Sequence, residues 1–97
     1  MRYFKFIFSL TFQLHLSCSA QSIKYKIDSL KAQLIGTNDL IKRNDILYKI
    51  TSLYSKNKPD SAMKYARLAL NNANEINNKS EIAKGYCSIG AVYRVIS

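Results

Sequence analysis

From Ile23 onward, apolar residues recur every three or four positions, and no stretch shows the two-residue alternation of a half-buried strand. Gly36, Pro59 and an asparagine-rich stretch before Ser80 divide this part of the chain into segments with one apolar stripe each. The connections are short, so consecutive helices are expected to be antiparallel. The sequence therefore predicts an all-α fold built from antiparallel helical hairpins. The stripes comprise Ile23, Ile27, Leu30 and Leu34; Leu40, Leu47, Ile50, Leu53 and Tyr54; Ala62, Tyr65, Ala66, Ala69, Leu70, Ala73 and Ile76; and Ile82, Ala83, Tyr86, Ile89, Gly90, Tyr93 and Ile96.

Residues that favour helix ends support this division. Asp39 is a good N-cap for the second helix, and Pro59 suits the first turn of the third. Gly36 is expected to end the first helix in the left-handed conformation. Ser80 and Glu81 are expected to cap the fourth helix. Each segment therefore carries its own start or stop signal.

Residues 1–20 have the pattern of a secretory leader. Arg2 and Lys5 begin it, an apolar run follows, and the small residues Cys18 and Ala20 occupy positions that a signal peptidase requires. An apolar run of about eleven helical residues rises only ~16 Å, roughly half the hydrocarbon core of a bilayer. We therefore expect a cleaved signal peptide over residues 1–20 and an exported chain, periplasmic or extracellular. The alternatives are an uncleaved membrane anchor or lipid attachment at Cys18.

The residue inventory beyond this leader excludes most catalytic sites. The single histidine, His15, and one of the two cysteines, Cys18, lie within it, so the rest of the chain has no imidazole and one thiol, Cys87. A Ser-His-Asp or Cys-His nucleophile, a multi-ligand zinc site and an internal disulfide cannot form there. The carboxylates offer no close pair, and we expect no enzyme, no metal and no cofactor. Cys87 itself is expected to be a buried or half-buried small apolar group, and an exposed thiol is the alternative.

Basic residues exceed acidic ones, and the chain carries a formal charge of +9. This charge leaves open a basic helical module that binds anionic polymers or a membrane surface. The lysines are scattered and are not interleaved with aromatic residues that could stack on bases, so we expect no nucleic-acid partner. Apart from that alternative, membrane contact is expected only through an uncleaved leader.

Two of the helical segments carry the same pattern thirty-nine residues apart. In each copy two large residues precede a small residue and then a tyrosine, and alanines at helical spacing lie between the copies. The small residue would let a partner helix approach closely, the tyrosine would fill the wedge where two helices diverge, and the alanines would lie at the crossing with the next repeat. These repeat anchors are Leu47, Ile50, Thr51 and Tyr54; Ala62, Ala66 and Ala69; and Tyr86, Ile89, Gly90 and Tyr93.

The pattern resembles the tetratricopeptide repeat (TPR), with Leu47 and Ala66 in place of aromatic residues and Thr51 in place of a glycine. The repeat unit is also longer than the usual period of about 34 residues. The resemblance implies an α-solenoid of about one and a half repeats after the signal peptide. The leader followed by repeats is similar to the N-terminal periplasmic TPR region of Bacteroidetes-type sensor and regulator proteins. The implied units are an N-terminal helix that is a degenerate repeat or cap (21–37), a first repeat (38–78) and the first helix of a second repeat (79–97).

The resemblance implies a protein-interaction scaffold whose concave face binds a protein or peptide partner. The lysine and asparagine that some family members use to clamp a terminal carboxylate are missing, because Tyr48 with Ser52, and Cys87 with Ala91, occupy those positions. The expected groove is therefore polar and modestly basic. The concave-face residues transferred from the family pattern are Asp45, Tyr48, Ser52, Ser55, Lys84, Cys87, Ala91 and Arg94.

The fourth segment would be a first helix without its second helix. Its apolar stripe is therefore expected to lack cover on one side, and repeats of this kind need neighbours to be stable. We expect a fragment, a truncated reading frame or a chain that needs further repeats or another partner. Self-association through the uncovered helix is one way to supply that partner.

Overall fold

The computed structural model describes residues 22–96, which form four α-helices and no strand. Helix α1 covers residues 22–35 of this range. Helix α2 covers Leu40–Tyr54, α3 covers Pro59–Ile76 and α4 covers Lys79–Ile96. Helix α3 packs against both α2 and α4. The prediction of an all-α fold of helical hairpins is confirmed. The predicted signal peptide, residues 1–20, lies outside the described residues.

Residues that favour a helix start lie at the beginning of α2, α3 and α4. The Asp39 carboxylate accepts a hydrogen bond from the Ile41 N–H at 3.0 Å, and Pro59 occupies the first turn of α3. The sequence pointed to Ser80 and Glu81 as the cap of α4, but Asn78 performs this role. Its Oδ1 accepts from the Glu81 N–H at 3.1 Å, because α4 already begins at Lys79.

The first helix ends differently from the prediction. Gly36 does not adopt the left-handed conformation. Among residues 22–96 that conformation occurs at Asn77, with φ 58°, at the end of α3. The end of α1 is held instead by Arg43 of α2, whose Nη1 donates to the carbonyl of Leu34 at 2.6 Å and to that of Thr37 at 2.8 Å. A cation at a helix C-terminus satisfies free carbonyls and complements the helix dipole.

The core lies between α2 and α3. Leu47 and Ile50 of α2 are fully buried, and so are the four alanines of the α3 stripe. Small side chains at this spacing allow the two helices to approach closely, and the predicted crossing of these alanines with the next repeat stays a prediction. Asn44 is also fully buried there; its Nδ2 donates to the Ala69 carbonyl at 3.0 Å and its Oδ1 accepts from Asn72 Nδ2 at 3.1 Å. The buried alanines are Ala62, Ala66, Ala69 and Ala73.

Helix α4 packs on α3 through a different face from its aromatic stripe. Its buried residues are Glu81, Gly85 and Val92, whereas Tyr86 is 62% exposed and Tyr93 is 53% exposed. Tyr93 and Ile96 of the predicted stripe line an open groove together with residues of α3, so this side of α4 is only partly covered in residues 22–96. This agrees with the expected lack of cover, and whether the stripe serves as a second set of repeat anchors stays a prediction.

The glycine that permits the close approach of α3 and α4 is Gly85 and not Gly90. A Cβ atom added at Gly85 would lie 3.0 Å from the Cα of Leu70 and 2.9 Å from its Cδ1. A Cβ atom added at Gly90 would meet no atom within 4 Å. The repeat pattern assigns Gly90 to a contact with the paired helix of its own repeat, and that contact stays a prediction; in the described chain Gly90 is exposed on α4.

Tyr54 lies where α1, α2 and α3 meet. Its ring stacks on that of Tyr65, with centroids 5.8 Å apart and an angle of 15° between the planes. Its hydroxyl accepts a hydrogen bond from Lys31 Nζ at 2.9 Å, and the same Nζ lies 5.8 Å from the Tyr65 centroid. Tyr54 therefore fills a junction between helices, whereas its counterpart in the repeated pattern, Tyr93, is mostly exposed.

The cluster around Lys31 predicts a loss of stability in alkaline solution. The hydrogen bond to Tyr54 raises the pKa of Lys31 above its ordinary value of 10.5; partial burial opposes this rise, and the charges of Tyr65 and Tyr54 support it. A raised pKa stabilises the folded chain below the unfolded pKa, and this contribution is lost as pH rises through the folded pKa. We expect the stability difference between wild type and Lys31→Met to be largest near neutral pH and to shrink above about pH 10.

Urea denaturation, followed by circular dichroism over a pH series, measures this difference. Lys24→Met, a change at an exposed lysine of the same helix, is the control. Parallel stability curves for wild type and Lys31→Met across the alkaline range would contradict the expected linkage.

Candidate functional site

A groove of about 620 Å³ separates α2 from α4. Both helices pack against α3, and Tyr48 joins them directly because its hydroxyl donates to the Glu81 carbonyl in the first turn of α4 at 3.3 Å. The groove therefore has walls from two helices that would be equivalent first helices of successive repeats. Its lining residues are Tyr48, Thr51, Ser52 and Ser55 of α2 and Ser80, Ala83, Lys84, Cys87, Ser88, Ala91, Val92 and Val95 of α4.

Six of the eight residues predicted for a concave face line this one groove. Spacings of three and four residues place them along one stripe of each helix. Asp45 and Arg94 do not line it; both are exposed, and each lies about one turn beyond the predicted groove residues of its own helix. The structure fixes these positions, while their role in binding stays a prediction. The six residues are Tyr48, Ser52 and Ser55 on α2 and Lys84, Cys87 and Ala91 on α4.

Several lining residues were absent from the predicted set. Val92 is 1% exposed, and Thr51 is also buried, with its hydroxyl donating to the Leu47 carbonyl at 2.8 Å. These two residues pack against neighbouring helices and expose little surface, so they belong to the floor of the groove. Ser80 and Ala83 extend the α4 wall before Lys84, Val95 extends it after Ala91, and Ser88 widens it beside Cys87. These additional lining residues could not be predicted, because the family pattern specifies only one position per helical turn.

Lys84 is the one charged residue among those that line the groove in the described chain. Its Nζ lies 3.3 Å from Oε1 of Glu81, whose side chain is 5% exposed. The other carboxylate oxygen, Oε2, is buried without a hydrogen-bond partner in the described chain. The ammonium group thus partly compensates a buried carboxylate while it remains half exposed toward the groove. Such a lysine can still form an ion pair with an acidic group of a ligand.

Tyr48 presents a neutral hydroxyl at the edge of the groove. Burial raises the pKa of Tyr48, and the negative charges of Glu81 and Asp45 raise this pKa further. The phenol therefore stays protonated well above neutral pH and can donate hydrogen bonds. Together with the serine hydroxyls it offers directional contacts beside the apolar floor.

Cys87 is exposed, and the expectation of a buried thiol was wrong. The reason is the face that α4 turns to α3: Gly85 and Val92 lie on it, and Cys87 lies toward the groove. Among residues 22–96, no three metal-binding side chains come together into a cluster that could hold a metal ion. The groove offers hydroxyls, one amine, one thiol and apolar surface, which suit binding of a polypeptide segment.

None of the helices in residues 22–96 combines the length and the apolar character needed to cross a membrane.

Comparison with known proteins adds a family assignment. Residues 20–96 match the family described as the SusR N-terminal TPR domain. No curated protein and no solved structure matched the chain significantly. The match covers all four helices and agrees with the repeat pattern found in the sequence, so the predicted resemblance to the TPR family is confirmed. The chain belongs to the family of SusR N-terminal TPR domains, whose repeats are protein-interaction scaffolds.

Proposed function

We propose that the groove between α2 and α4 binds a segment of a partner protein. One observation carries this proposal: six residues predicted for a concave binding face line a single groove. Its exposed rim is polar and its floor is apolar, a combination found in protein interfaces. The alternative, a basic module that binds anionic polymers, has weaker support because the groove lining contains one lysine and many uncharged residues.

We further propose that the chain is the start of an exported sensor or regulator. The support is the charged and apolar pattern of residues 1–20 together with the family of the following residues. Fractionation of cells that produce the full chain tests this part. Recovery of the uncut chain from the cytoplasm alone would contradict it.

The variant Ala91→Arg tests the groove. Ala91 is exposed on the α4 wall, so an arginine there would fill the groove without disturbing the core. Peptides are first selected on the full wild-type chain from a displayed random library, and their dissociation constants are then measured. We expect Ala91→Arg to weaken the selected peptides at least tenfold, about 1.4 kcal/mol.

Ala32→Arg is the matched control, since Ala32 is exposed on α1 and lines neither this groove nor the neighbouring cavity between α1 and α2. Equal weakening by both variants, or by neither, would refute the groove as the binding site. Polyphosphate serves as the probe of the alternative. Tight polyphosphate binding that falls steeply with salt and ignores Ala91→Arg would favour the anionic-polymer function.

A further inference from the structure

A second groove, of about 500 Å³, lies between α1 and α2. Ser52 is exposed on α2 and lines both this α1/α2 groove and the α2/α4 groove described above. The two grooves therefore adjoin across α2 at Ser52. The residues that line the α1/α2 groove are Tyr25, Lys26, Ser29, Leu30, Gln33, Lys49, Ser52 and Leu53.

The adjoining grooves share a charge pattern. Lys26 of α1, Lys49 of α2 and Lys84 of α4 line them, and no aspartate or glutamate does. The nearest acidic residues along the helices are Asp28, two residues after Lys26, Asp45, one turn before Lys49, and Glu81, which pairs with Lys84 at 3.3 Å; none of the three lines a groove. A ligand that crosses all three helices would meet positive charge at each one, which favours a negatively charged partner.

The α1/α2 groove also has an exposed aromatic residue. Tyr25 is 75% exposed, although a tyrosine ring gains by burial, and the half-buried Leu30 and Leu53 line the same groove. An exposed aromatic ring beside aliphatic side chains is typical of a protein-binding surface. A polyphosphate or a polysaccharide chain rich in acidic groups would leave this apolar surface unused.

We propose that the two grooves form one surface for an acidic peptide segment. The segment crosses α2 at Ser52, places its carboxylates near Lys26, Lys49 and Lys84, and inserts an apolar side chain beside Tyr25. This proposal rests on the proposed function of the α2/α4 groove and specifies the ligand of that site. Neighbouring helices pack about 8–10 Å apart, so the crossing spans roughly 20 Å and needs about six extended residues.

Fluorescence anisotropy with labelled twelve-residue peptides tests this proposal on the full chain. The probe peptide contains glutamates and aspartates around one phenylalanine in a serine and glycine background. One comparison peptide has serine in place of the phenylalanine, and the other has lysines in place of the acids. We expect the probe to bind, and each comparison peptide to bind at least fivefold more weakly, because each lacks one of the two complementary features.

Variants of the chain then locate the peptide. Lys26→Glu and Tyr25→Ser change exposed residues of α1, and each is expected to weaken the probe about fivefold to tenfold. Ser52→Arg, at the junction of the grooves, is a further variant at an exposed position. Lys64→Glu is the matched control, because it makes the same change in net charge on α3 outside both grooves. It is expected to change the affinity less than twofold.

The outcomes separate this inference from the function on which it rests. Weakening by Ala91→Arg without any effect of Lys26→Glu or Tyr25→Ser would overturn the extended surface and keep the α2/α4 groove. Indifference to all of these variants would overturn both. Equal weakening by Lys26→Glu and Lys64→Glu would overturn the inference as well, since attraction to net charge alone would then account for binding.

Discussion

Leu47→Ala is expected to lower the free energy of unfolding by about 2–5 kcal/mol, because deleting a fully buried leucine removes packed atoms and leaves a cavity. A domain of about 75 residues has a total free energy of unfolding of roughly 4–11 kcal/mol. The substitution therefore removes a large part of the stability.

Urea denaturation followed by far-ultraviolet circular dichroism measures the effect. Ile41→Ala is the control in the same helix, since Ile41 is 41% exposed and its loss is expected to cost less than about 1 kcal/mol. The core described between α2 and α3 requires this order of effects. A larger loss for Ile41→Ala than for Leu47→Ala would contradict it.

Helix positions and the main core could be predicted from the sequence because their signals are local. The stripes of α2 and α3 each have one apolar side, and Asp39 and Pro59 mark where these helices begin. An apolar stripe at helical spacing has to be buried. Alanine side chains are short, so the stripe of four alanines can be buried only if another helix packs close to it.

The face of α4 could not be predicted in the same way. Its sequence has small or apolar residues on two sides, with Gly85 and Val92 on one and Tyr86 and Tyr93 on the other. The periodicity of a helix does not say which side meets an existing neighbour and which side awaits another. The repeat pattern assigns the aromatic side to a further helix, and the packing on α3 depends on the shape of Leu70, which the pattern does not specify.

The hydrogen bonds of buried polar residues also could not be predicted from the sequence. Asn44 resembles any surface asparagine along the chain, and only the three-dimensional approach of Ala69 and Asn72 gives it hydrogen-bond partners inside the core. The groove positions were easier to predict, because the resemblance to the family implied them and they lie at helical spacing on one face of each helix. Two predicted residues do not line the groove: Asp45 precedes the first α2 residue that lines it, and Arg94 lies between Val92 and Val95 but on another side of α4.

Gly85→Ala and Gly90→Ala are expected to change stability in opposite directions, although they are the same substitution in the same helix. The Cβ atom at Gly85 would lie 3.0 Å from the Cα of Leu70, and backbone atoms cannot move aside without separating α3 from α4. Overpacking of this kind costs about 1–3 kcal/mol, which exceeds the gain of up to about 1 kcal/mol from replacing a helical glycine by alanine. Gly85→Ala should therefore destabilise the chain.

At Gly90 only the gain remains, because a Cβ atom there meets nothing within 4 Å. Gly90→Ala should therefore stabilise the chain by about 0.5–1 kcal/mol, since alanine loses less backbone entropy in a helix. Denaturation midpoints of the two variants and the wild type provide the comparison, and helix propensity cancels between the variants. A destabilised Gly90→Ala together with a neutral Gly85→Ala would contradict the packing of α4 on α3 through Gly85 and Val92.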